Sequence, residues 1–264
     1  MNYTELLGYF GALIIGLVVG LFGGGGSILA VPIFVYLFHL NPILATSYSL
    51  FVVGFSAAAG TIINIKKKLI DYRIAIIFSF PALFSVFVVR RYFIPSLPEV
   101  IFDSSSISVT KKMALMLLFS IVILLSSFSM LKKNKAVIAQ KLNNTNYSLL
   151  LITGSVVGVL TGLVGAGGGF IIVPALVFFA GLKIKQAVAT SLVIITCNAL
   201  FGFLSDITQV NIDWFFLTSI TLISVLGIVL GSYLSNFIND MSLKKNFARF
   251  ILLIALMIIC NELA

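Results

Sequence analysis

Charge is what this chain most lacks. Only 9% of its 264 residues are charged, and eight of those are acidic. A water-soluble domain of this length needs a far larger polar surface, so that class is excluded. The sequence shows no HExxH, no GxSxG and no paired catalytic carboxylates. It also shows no GxxxxGK[ST], and neither of its glycine runs ends in the lysine that a phosphate-binding loop requires. Enzyme chemistry, a metal and a cofactor are therefore not expected. The single histidine, His39, stands near the end of an apolar segment and reads as interfacial. Cysteine is scarce as well. Cys197 and Cys260 lie inside apolar segments without CxxC spacing and read as small buried hydrophobes. No cleavable leader is evident, because the first apolar run lacks a basic start and itself carries a glycine motif.

What is present is hydrophobic length. The chain is 60% hydrophobic with a mean hydropathy of +1.18. Several apolar runs reach ~20 residues, enough to span a bilayer core. A membrane β-barrel would show short alternating segments instead. The expected class is an all-α polytopic membrane protein. The net charge of +9 does not point to nucleic acid, because the lysines fall in short loops between apolar segments. There they set topology.

Two glycine-rich stretches organise the chain. They are Gly16 to Pro32 and Gly158 to Pro174, and without gaps they agree at eight of seventeen positions. Further matches follow. Ala45-Thr46-Ser47 corresponds to Ala189-Thr190-Ser191 after a two-residue shift, and Ile70-Asp71-Tyr72 corresponds to Ile212-Asp213-Trp214. Each half reads as five apolar segments: 6–22, 27–38, 42–64, 74–91 and 113–131, then 147–164, 170–182, 186–205, 212–238 and 247–261. The segment after each glycine run is about a dozen residues, ~18 Å, too short to cross. Two repeats are expected, over 1–142 and 143–264. Each holds a Gly-rich broken or re-entrant helix hairpin and three spanning helices.

Charge orients them. The loop after the third segment contains Lys66, Lys67, Lys68 and Arg73 in the first half but no Lys or Arg in the second. The positive-inside rule puts the first in the cytoplasm and the second outside, so the repeats are inverted. An odd number of segments per half agrees. Lys132, Lys133, Lys135, Lys141, Lys183, Lys185, Lys244, Lys245 and Arg249 fall inside, and both termini fall outside. Arg90, Arg91, Lys111 and Lys112 flank a long external loop over 92–112, against the rule. The expected location is a prokaryotic inner or plasma membrane.

Glycine runs break helices, and broken backbone is tolerated at membrane depth only inside protein or beside a wet cavity. In inverted hairpins the two loops meet near mid-membrane. Each short helix then points its N-terminal N–H groups into a shared anion site. No carboxylate or cationic side chain stands in the middle of any segment, which suits an anion held by neutral donors. The candidate substrate-binding residues are Gly23, Gly24, Gly25, Gly26, Ser27, Thr46, Ser47, Gly165, Gly167, Gly168, Gly169, Thr190, Ser191 and Asn198, with Thr161 a further polar candidate. The spaced pairs Gly16/Gly20 and Gly158/Gly162 read as helix-packing glycines. Tyr72 and Trp214 read as interfacial anchors.

The paired Gly-rich motifs ending in Val-Pro, each followed by Ala-Thr-Ser, resemble the sulfite exporter TauE/SafE family of membrane permeases. The resemblance covers nearly the whole chain. It implies transport of a small inorganic or organic sulfur anion, such as sulfite or a sulfonate, often outward. By position it carries over Gly23 to Ser27 with Pro32, and Gly165 to Gly169 with Pro174, plus the two Ala-Thr-Ser stretches. Ala166 departs from the glycine pattern. The resulting expectation is a secondary transporter working by alternating access, with an anion channel as the alternative. Lipid is the surrounding partner and nucleic acid is not one. A homodimer through the outer helices is compatible with the sequence and not fixed by it.

Overall fold

The computed structural model describes residues 3–104, 107–131, 147–235, 237–238, 249 and 252–260. The connection at 132–146, with its four lysines, lies outside the described residues, as does most of 239–251. The first half folds as α1 (Tyr3–Phe22), the short α2 (Gly26–Leu37), α3 (Pro42–Lys66), α4 (Tyr72–Ser96) and α5 (Lys111–Leu131). The second half folds as α6 (Tyr147–Val164), α7 (Gly169–Phe179), α8 (Ile184–Asp206), α9 (Trp214–Leu234) and α10 over 252–260. Among the described residues, α3, α4, α6, α8 and α9 are long and apolar enough to cross a membrane. The protein is a multi-pass helical membrane protein.

Local chemistry sets the ends. Asp71 and Asp213, the matched pair in the sequence, cap α4 and α9, accepting from Ile74 N at 3.1 Å and from Phe216 N at 3.0 Å. Asn41 caps α3 by accepting from Ile43 N, with Pro42 at the first helical position. α7 has 11 residues, about 17 Å, so it cannot cross. α2 is as short and less regular: it grows out of a 3-10 turn (Gly25–Leu29) and passes through one α turn into a π turn (Ile33–Leu37). Pro32 has no N–H to bond the carbonyl four residues back, so the ladder changes spacing around it. By contrast α1 has 20 residues and α6 has 18, about 30 and 27 Å. Each glycine loop thus joins a long arm to a short one.

The helices pair in matched fashion. α3 lies against α8 at the centre; α1 packs on α9 and α6 on α4; α9 also meets α3, and α4 meets α8. The closest crossings use glycine. A Cβ on Gly16 would overlap the Ser224 carbonyl, and one on Gly231 would overlap that of Leu17. Gly154 and Gly158 of α6 also sit against the backbone of Phe78 and Ala82 in α4, too close for a Cβ. Lipid tails are as apolar as leucine, so such close packing, rather than burial of leucine, joins membrane helices. The outward faces are apolar stripes: Ile76, Phe80 and Phe84 on α4, Leu222 and Leu226 on α9.

The connection over 92–112 is more structured than expected. α4 runs on to Ser96 through a π turn at Val89–Phe93. An antiparallel hairpin follows, β1 (Val100–Ser104) and β2 (Ile107–Thr110), with Val100 opposite Thr110 and Ser104 opposite Ile107. The membrane-spanning part is all helix.

Candidate functional site

The first glycine loop begins where α1 ends. The N–H groups of Gly23 and Gly24 both return to the Val19 carbonyl, at 2.9 and 3.3 Å. Gly24 adopts φ +83°, a conformation natural to glycine, and caps α2. Its carbonyl accepts from Ser27 N at 3.1 Å and from Ser27 Oγ at 2.6 Å. The N–H groups of Gly25 and Gly26 precede that first bond.

The second loop is two residues longer. Gly165 N donates to Thr161 O at 2.8 Å, and Gly168, at φ +71°, caps α7 by accepting from Ile171 N and Ile172 N. Gap-free alignment pairs Gly24 with Ala166, but the cap role passes to Gly168. Ala166 therefore stands in the added stretch, not at the cap. Among the described residues, the five consecutive N–H groups from Ala166 to Phe170 meet no acceptor. All five residues are buried.

The two loops touch. A Cβ on Gly169 would overlap the Gly24 carbonyl, and one on Gly24 would lie 3.1 Å from Gly169 Cα. α8 runs beside both: Val188 packs on Gly23, and Ile195 packs on Gly24 and Gly167. Ser191, on the same face of α8, donates to Gly23 O at 2.8 Å. Asn198 continues that face, fully buried, and neither its Oδ1 nor its Nδ2 has a partner among the described residues. Thr161 Oγ1 is likewise buried and unpartnered, directly beneath Gly168. On α3, Thr46 packs on Gly165 and Val53 on Gly167; Ser49, between them on the same face, has a second buried unpartnered hydroxyl. Buried polar groups are normally paired, so a cluster of exceptions around one pair of loops marks a place for a polar guest.

Not every expected residue turns towards the loops. Ser27 closes its own turn. Thr46 donates to Ile43 O at 2.8 Å, and Ser47 to Ile43 O at 3.1 Å. Thr190 accepts from Asp71 N at 3.0 Å, tying the loop after α3 to α8. Asp213 N makes the matching link to Tyr48 Oη at 2.7 Å. Two charged residues join the loops from segment ends: Arg90, expected beside the external 92–112 loop, and Asp206, the last residue of α8. Arg90 and Asp206 are buried, 2% and 5% exposed, and form an ion pair beside Gly165. Their separation of 116 positions offers no local spacing to read.

A family model described as Sulfite exporter TauE/SafE matches residues 9–258, a span that includes both glycine loops, α3 and α8. The chain belongs to the sulfite exporter TauE/SafE family. Membership makes it a membrane transport protein. It is 26% identical to a probable membrane transporter protein of Xylella fastidiosa, over 95% of this chain and 93% of that one. It is 28% identical to the probable membrane transporter protein YunE of Bacillus subtilis, over 94% and 93% of the two chains. No solved structure matches it significantly. In this TauE/SafE chain a cavity of about 700 Å³ opens beside the end of α2, lined by residues that include His39, Tyr48, Asp213 and Phe216. None of the glycine-loop residues lines it.

Proposed function

We propose that the protein is a secondary transporter of a small sulfur oxyanion or organosulfonate, bound where the two glycine loops touch. The carrying observation is the run of five buried amides from Ala166 to Phe170 with no acceptor among the described residues. Such a run at a helix N-terminus, with the helix dipole behind it, is an anion receptor needing no cationic side chain. Gly25 and Gly26 present amides from the other loop. Thr161, Ser49 and Asn198 add neutral donors around them.

We further read residues 1–142 and 143–264 as inverted repeats. The matched helix pairings, the links from Asp71 to Thr190 and from Asp213 to Tyr48, and the opposite charge of the two loops after α3 and α8 support this reading. Two repeats rocking about the touching loops would open the site to each side in turn. Export follows from charge: each negative charge leaving a negative-inside cell gains ~2.3 kcal/mol per 100 mV.

The test is flux in liposomes. Sulfite, sulfate, thiosulfate and sulfoacetate are compared with acetate as the carboxylate control. The expected result is saturable flux of at least one sulfur anion, accelerated by the same anion on the far side. High flux without that acceleration favours a channel. Flux of acetate alone rejects the reading.

A further inference from the structure

We propose that Arg90 grips two oxygens of the carried oxyanion through its Nε/Nη2 edge, while Asp206 holds the guanidinium in position. The inference rests on the transport reading above and adds one charged side chain to the neutral loops.

Arg90 lies in the π turn Val89–Phe93 of α4. Pro95 has no N–H for the Arg91 carbonyl, and a widened turn is the usual local response. The neighbouring arginines then part. Arg91 reaches the exposed Thr208 Oγ1 at 2.8 Å, whereas Arg90 is 2% exposed. A guanidinium this deep needs a counter-charge, and Asp206 at the end of α8 supplies it. Arg90 Nη1 donates to Asp206 Oδ2 at 2.5 Å and to Thr46 Oγ1 at 3.3 Å. The one proton of the Ser47 hydroxyl has two acceptors in reach, the Ile43 carbonyl at 3.1 Å and, closer, Asp206 Oδ2 at 2.5 Å.

Those contacts use one nitrogen of the three. Nε and Nη2 are buried and have no acceptor among the described residues. Arginine–carboxylate pairs frequently share two nitrogens in a parallel fork, and here only Nη1 meets the carboxylate. Here the fork that matches two oxygens of a carboxylate or sulfur oxyanion points elsewhere. Its Nη2 lies against the second glycine loop, since a Cβ on Gly165 would overlap it. Ala166, the first of the five unpaired amides, is the next residue. Guanidinium edge and backbone donors therefore form one array. Asp206 cancels the arginine's charge, so the array can release the anion as well as hold it.

The test uses the full chain in liposomes with labelled sulfite. R90K keeps the charge and a partner for Asp206 but loses the fork; R90Q/D206N keeps a neutral hydrogen-bonded pair. Both should elute from detergent columns like the wild type. R90K should raise KM about tenfold or more, the effect of losing one hydrogen bond to a charged group. Its maximal rate should stay within about twofold. R90Q/D206N should raise KM at least as far. A folded variant with wild-type KM overturns the role of Arg90 and leaves the transport reading intact; wild-type protein without any sulfur-anion flux rejects both.

Discussion

Asn198 carries a whole amide group into the interior without a partner among the described residues. If its only task were packing, leucine would serve better. An orphaned buried polar group costs about 1–3 kcal/mol, and an apolar residue of similar shape removes that cost. Asn198→Leu should therefore raise the unfolding midpoint in detergent and lower sulfite flux about tenfold, a loss of ~1.4 kcal/mol of anion binding. Unchanged flux would make Asn198 structural. Thr161→Val, beneath Gly168, should behave the same way by the same two measurements. At this scale the sequence was partly legible. Glycines, hydroxyls and the amide were visible as types, because a helix broken in lipid has few explanations. Which hydroxyls turn to their own backbone was not visible, since Ser27, Thr46 and Ser47 all have that option locally. Arg90 was hidden for another reason: beside Arg91 at a segment end it reads as a solvated charge, and only the π turn sends it inward.

The helices themselves were more legible than their joints. Segments expected over 42–64 and 186–205 fold as Pro42–Lys66 and Ile184–Asp206, because continuous apolar runs bounded by polar loops allow little else. The hairpin Val100–Ser104 with Ile107–Thr110 was not legible, as its pairing rests on no period in the sequence. The spaced glycines behave as packing devices. Gly16 and Gly20 of α1 meet Gly227 and Gly231 of α9 backbone to backbone. Gly16→Leu should force α1 from α9 and lower stability by about 1–3 kcal/mol, the usual cost of overpacking. Thermal unfolding of the purified variant in detergent measures this, and a wild-type midpoint would refute the crossing.

Across the whole molecule, the two loops act together only if the halves are antiparallel in the membrane. Lys68→Cys and Thr208→Cys, each placed in a background with Cys197 and Cys260 replaced by serine, should be labelled by an impermeant maleimide from opposite sides of intact cells. Labelling of both from one side would end the inverted-repeat reading. The central claim is that the anion binds where the loops touch. Gly169→Ala tests it most directly, because the added methyl meets the Gly24 backbone, which has no side chain to swing away. Wild type and variant are reconstituted at equal amounts, after chromatography shows both folded. For the sulfur anion that the wild type carries, the account predicts flux at least about tenfold lower in the variant, equivalent to ~1.4 kcal/mol or more. Equal flux through both would contradict it.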